Sequence, residues 1–114
     1  MAIIYNWNCQ TVEVHPTQDG KTNVVYNVSW ILTGVSDELD SEGNAYESTM
    51  VGVQPVPLYT KSEFISFEDL TNEIVVEWTK EAMGANKVFY LETTIEENIS
   101  LKINPTSVVM TIAD

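Results

Sequence analysis

Apolar and polar residues alternate from the start of the chain. Ile3, Tyr5, Trp7 and Cys9 fall on one side of an extended segment, and Asn6, Asn8 and Gln10 on the other. Period two is the signature of a half-buried strand. Beyond Gln10 the apolar phase changes parity, to Val12 and Val14. A one-residue slip reverses the faces of a strand, so this spacing predicts a bulge or strong bend near Gln10-Thr11. Pro16 to Lys21 supplies a turn, with Asp19-Gly20 as the hairpin signal. The return strand places Val24, Tyr26, Val28, Trp30 and Leu32 inward and Asn27, Ser29 and Thr33 outward, and Gly34 ends it. Strands over 3–15 and 22–34 therefore form a long two-stranded ribbon.

From Ser36 to Asn44 the chain reads as an acidic loop carrying Asp37, Glu38, Asp40 and Glu42 ahead of Gly43. Tyr46 to Val53 returns as a third strand. Pro55 and Pro57 lack ladder donors, which makes their stretch an edge or an extended connector. After Leu58 the period lengthens to nearly four. Thr71 is the predicted N-cap of a first helix, with Leu70 and Val75 as a hydrophobic staple. Ile74, Trp78 and Ala82, joined by Val75 and Met83, form its apolar stripe, and Gly84 is its stop. A second helix is expected from about Lys87 to Ile103, with the stripe Val88, Leu91, Ile95, Ile99 and Ile103 and a terminator at Asn104-Pro105. Ser107 to Ile112 is β-prone and reads as a short strand or a tail.

The fold predicted is α+β: an antiparallel three- to four-stranded β-meander followed by two C-terminal helices packed on one face. Residues 1–114 are expected to form a single domain, with the meander in 1–58, the helical pair in 59–105 and the tail or short strand in 106–114. Trp7, Trp30 and Trp78 are expected to share one core. At 114 residues and 44% apolar content the chain has enough side chains for such a core without disulfide or metal staples.

Charge narrows the function. Seventeen carboxylates stand against five lysines and no arginine, a net charge of −12. Nucleic-acid and phosphate surfaces are built from Lys and Arg, and the widely spaced Lys21, Lys61, Lys80, Lys87 and Lys102 form no such stripe. One His and one Cys exclude a Cys/His metal site and leave His15 without an evident nucleophile to activate. There is no Gly-rich phosphate loop, no paired-Cys motif and no Gly-x-Ser-x-Gly. Cys9, alternating with Tyr5 and Trp7, reads as a small buried hydrophobe and not a nucleophile. His15, before Pro16, reads as a surface turn residue. The N-terminal sequence predicts no signal peptide, and no apolar run approaches the roughly 20 residues of a membrane span. A single Cys favours a reducing compartment.

Two acidic features invite chemistry. Glu38, Asp40 and Glu42 before Gly43 imitate the start of a calcium loop, but Thr49 occupies the place of the closing bidentate Glu, so no metal is expected there. Glu73, Glu77 and Glu81 lie at i, i+4, i+8 on the first helix, and Glu92 and Glu96 repeat the spacing on the second. These five form the candidate interaction surface, either a solvated outer face with Lys80 relieving part of its repulsion, or a docking surface for a basic partner.

The ordered set Tyr5-Asn6-Trp7, Val24-Val25-Tyr26-Asn27-Val28-Ser29-Trp30, Thr33-Gly34, Phe64, Phe67, Leu70-Thr71, Trp78, Gly84 and Ile103-Asn104-Pro105 resembles an uncharacterised family of small tailed-bacteriophage proteins of marine and cyanophage type. The resemblance implies an origin more than a mechanism. Members often end in a Pro-rich tail closing on Trp, whereas this chain ends in Val108-Val109-Met110-Thr111-Ile112-Ala113-Asp114. The expectation is a non-enzymatic phage protein, virion-associated or an assembly accessory, acting through protein–protein contacts and without cofactor. Its partners would be phage structural proteins or a host protein, with self-association at sheet edges. It would bind neither nucleic acid nor membrane, and would reside in the virion or the host cytoplasm. The alternative is an acidic host-takeover or anti-defence protein that imitates DNA before a host nucleic-acid enzyme. A third option is a small-molecule binder between sheet and helices.

Overall fold

The computed structural model describes residues 2–18, 20–57, 65–107 and 109–113. Asp19 of the hairpin signal, Lys61, Phe64 and Val108 lie outside the described residues. Three strands, β1 (Ile3–Gln18), β2 (Lys21–Leu39) and β3 (Ala45–Pro55), form an antiparallel sheet in the order β1-β2-β3. A short 3-10 turn at Phe67–Asp69 leads to α1 (Asn72–Met83) and α2 (Ala85–Ile103). The chain is thus an α+β meander with its helical pair at the C-terminal end.

The predicted bulge is present. Asn8 pairs with Ile31 and Thr11 with Ser29, so Cys9 and Gln10 together face Trp30. The extra residue restores Val12 and Val14 to the same side as Trp7 and Cys9. A second irregularity lies in β2, where the sequence pattern gives no sign of one. Glu13 pairs with Asn27 and Val14 with Val25, leaving Tyr26 as the extra residue on β2. Val25, not Tyr26, therefore takes the inward place and joins the core, while the Tyr26 ring stacks on His15 at 4.1 Å. His15 is accordingly a strand residue and not part of a turn.

β2 also runs further than the expected Gly34. Ser36 is buried, and Asp37 exchanges bonds with Ala2: its N–H donates to the Ala2 carbonyl and its Oδ1 accepts from the Ala2 N–H. The acidic loop contracts to Asp40–Asn44. There the Asp40 Oδ1 accepts from the N–H groups of Glu42 and Asn44, both at 2.9 Å. β3 ends on Pro55, whose missing donor suits the last residue of an edge strand.

Thr71 caps α1 as its sequence suggests, accepting from the Ile74 N–H at 3.2 Å. The buried stripe of α1 is rotated from the expected one: Val75 and Thr79 are buried, whereas Trp78 is only half-buried against the core. Thr79 is tolerated there because its hydroxyl donates to the Val75 carbonyl at 2.8 Å, one turn back. A single residue, Gly84, joins α1 to α2, which starts at Ala85 and not at Lys87. Its φ of 88° and ψ of 155° lie in backbone space open essentially to glycine alone. Along α2 the expected stripe holds, with Leu91, Ile95 and Ile99 buried. Each contributes on the order of 1.5–3 kcal/mol of apolar burial. Both helices cover the side of the sheet that carries Trp7, Cys9, Val28, Trp30 and Leu32.

Candidate interaction surface

The helices divide the acidic residues that the sequence groups together. Glu73, Glu77 and Glu81 are exposed along α1, away from buried Val75 and Thr79. Glu92 instead turns toward β1, where its Oε2 accepts from the Trp7 indole N–H at 3.1 Å. Glu96 lies one turn on, and burial followed by the charges of Glu96 and Glu92 pushes the pKa of the Tyr5 hydroxyl up. Of the two α2 carboxylates only Glu92 bonds across the helix–sheet seam, Glu96 remaining exposed, while the three on α1 form a solvent-facing row. Lys80 does not spend its charge on that row alone: its ammonium lies over the Trp7 ring, 5.5 Å from the centroid. Trp7 is held from three sides, by Lys80, by Glu92 and by Trp30, whose ring centroid is 5.6 Å away.

Cys9 is fully buried. Burial pushes its thiol pKa up, against smaller lowering effects from the Thr79 hydroxyl and the Lys80 charge, so the nucleophilic thiolate is disfavoured. Beside it the Asn72 side chain closes the outer rim of β1. Its Oδ1 accepts from the Cys9 N–H at 2.7 Å and its Nδ2 donates to the Trp7 carbonyl at 3.3 Å. A groove of about 460 Å³ runs past this point, between the bulge and the start of α1, with Val12, Phe67 and Leu70 among its walls. Its Asn72 and Thr71 side chains are already committed to backbone partners, so they do not converge on the open space. His15 is at the far end of β1, stacked on Tyr26, and does not approach Cys9. Among the described residues no group of three His, Cys, Asp or Glu side chains is placed to hold a metal ion, and no helix is long and apolar enough to cross a membrane.

The sheet face turned away from the helices is different in character. Its rows, read across the register, are Ile4–Val35–Glu47, Asn6–Thr33–Thr49, Asn8–Ile31–Val51 and Thr11–Ser29–Val53. Ile4, Ile31, Val51 and Val53 are exposed, and a hydroxyl pair between Thr33 and Thr49 at 3.2 Å bridges β2 and β3. Only Glu47 in these rows is charged. Glu13, in the next row, is occupied by the Tyr26 hydroxyl at 3.2 Å and the Asn27 amide at 2.8 Å. In a chain of net charge −12, a sheet face almost free of charge and dotted with aliphatic side chains is the least expected surface. Alternation places polar Asn6, Asn8, Ser29 and Thr33 on this face, but gives no sign that aliphatic side chains share it uncovered.

No curated protein and no solved structure matches the chain. A family model does, over nearly its whole length, and on residues 2–112 the chain belongs to the family described as domain of unknown function DUF7936.

Proposed function

We propose that the protein is non-enzymatic and works by protein–protein contact, as a virion-associated or assembly accessory of a tailed phage. The observation that carries this reading is the open sheet face: Ile4, Ile31, Val51 and Val53 are exposed in rows where Glu47 is the one charged residue, while the groove beside Cys9 offers no convergent free polar groups. Contact surfaces are depleted in charge at their centres and keep it on the rim. The carboxylate row of α1 stands on the opposite side of the molecule, where it does not oppose docking on the sheet. The phage setting rests on the sequence resemblance. Partners on this reading are phage structural proteins, and nucleic acid is not among them. Mass spectrometry of purified particles tests it: an assembly protein appears at fixed copy number, and its absence from particles counts against the reading.

The second reading is the acidic takeover protein, favoured by the exposed row Glu73, Glu77 and Glu81. Changing all three to Lys separates the two. A decoy of DNA loses its grip on a basic host enzyme, whereas docking through the sheet persists, because remote charges mainly tune association rate.

A further inference from the structure

The free edge of β3 and the C-terminal segment are each incomplete, and they complement one another. The Val56 N–H donates to the Tyr26 carbonyl, so even-numbered positions of this strand bond toward β2. The Glu47 carbonyl instead accepts from Lys102, so odd-numbered positions point outward. Thr49, Val51 and Val53 thus turn their N–H and C=O groups away from the sheet, and among the described residues β3 pairs on one side only. Lys102 guards one end of this edge, and Lys87, bonded to the Gln54 side chain at 3.1 Å, guards the other. Between them stand no charge, no proline and no bulge, the devices that normally blunt an exposed edge.

The segment after Pro105 has the opposite lack. Val109 is 100% exposed, Met110 81% and Ile112 93%, in residues without regular structure. From Ile103 to Ala113 the chain carries no charge, and neither does Ser48 to Pro57. Two copies of a −12 protein therefore meet here without like-charge repulsion at the point of contact.

A stripe on α2 completes the site. Lys87 and Asn98 both reach β3, the latter donating to the Ser48 hydroxyl at 3.4 Å, which orients this flank of the helix over the edge. Tyr90, Thr94 and Leu101 share that flank by helical spacing. Tyr90 and Leu101 are exposed, and a strand added beside β3 lays alternate side chains against them.

We infer that the β3 edge takes the C-terminal segment of a second copy as its fourth strand. The occupant is a second copy because the chain's own segment, leaving the body beyond Lys102 near Glu47, has its described residues in solvent with the edge left open. The inference rests on the protein-contact reading and names one partner for it.

The test uses the full chain, its molar mass measured by light scattering and sedimentation across micromolar concentrations. The parent is expected to associate. Val51→Pro, which removes an outward backbone donor of the edge and keeps the sheet face apolar, and a double Val109→Pro, Met110→Pro variant, which removes tail donors in either register, are each expected to weaken association at least tenfold. All three positions are exposed, and unchanged circular dichroism and melting confirm that the variants fold. Mixing the two variants pairs an intact tail with an intact edge, so a heterodimer is expected to form where neither variant associates alone. A monomeric parent, or an oligomer indifferent to both changes, overturns the inference. Particle incorporation is scored separately: a monomer that still enters particles defeats this inference and leaves the assembly role standing, while a tail-dependent oligomer that never enters particles keeps this inference and defeats the virion role.

Discussion

The Ile95 side chain occupies the space that a side chain at Gly34 would need. A Cβ built on Gly34 falls inside contact distance of the Ile95 Cγ2 and 3.2 Å from the Ile3 Cγ2. Here α2 packs directly on the backbone of β2, and Gly34 is a packing glycine and not the strand terminator its sequence suggests.

Gly34→Ala is accordingly expected to destabilise by about 1–3 kcal/mol through overpacking. In an open strand position the same change stabilises slightly, by about 0.4–1 kcal/mol, so the sign is diagnostic. Ile95→Ala alone costs about 2–5 kcal/mol. Denaturant midpoints of the double variant should show the two changes costing less together than their sum.

The Trp7–Glu92 bond yields a second expectation. Glu92→Leu leaves a half-buried indole N–H without its acceptor and should cost about 1–3 kcal/mol, while Glu92→Gln retains a carbonyl acceptor and should cost much less. Chemical denaturation followed by tryptophan emission reads both. Equal losses would show that the carboxylate charge, not the hydrogen bond, holds the seam.

Asn72 is expected to matter out of proportion to its size. Asn72→Ala removes the acceptor for the Cys9 N–H and the donor to the Trp7 carbonyl, for about 1–3 kcal/mol in all. Faster hydrogen exchange should be confined first to the Cys9 amide and its neighbours in β1.

Cys9 makes stability depend on alkaline pH. Its thiol pKa is raised in the folded chain above the ordinary value of 9.0, chiefly by burial. The unfolded chain therefore loses its proton at lower pH than the folded one. Stability from this group is full below the ordinary thiol range and declines as pH rises through it. Cys9→Ser should flatten that decline, and thiol-reactive dyes should label native Cys9 only at the rate at which the fold opens.

What the sequence reveals and conceals follows from contrast between neighbours. The bulge at Cys9-Gln10 is legible because polar Gln10 and Thr11 interrupt an alternating run. The one at Tyr26 is not, because Val24, Val25 and Tyr26 are all apolar and a shift in phase leaves no mark. Thr79 escapes a hydropathy reading because the hydroxyl is satisfied by a carbonyl on its own helix. The half-burial of Trp78 follows from the same rotation of α1, so its truncation should cost less than that of a wholly enclosed tryptophan. The acidic row of α1 is visible from spacing alone. The turn of Glu92 toward Trp7, a residue 85 positions away, is not local information.

The order of elements along the chain has a consequence for synthesis. All three strands precede both helices, so the sheet leaves the ribosome with Trp7, Val28, Trp30 and Leu32 uncovered. Residues 56 to 103 must follow before α2 closes over them, on the order of a few seconds at about 5–20 residues per second. During that interval both faces of the nascent sheet present apolar side chains, one of them only until the helices arrive. Binding by a chaperone should therefore be greatest for chains halted between β3 and α1 and should fall once Ile99 has emerged, a time course that ribosome-stalled fragments of graded length would trace.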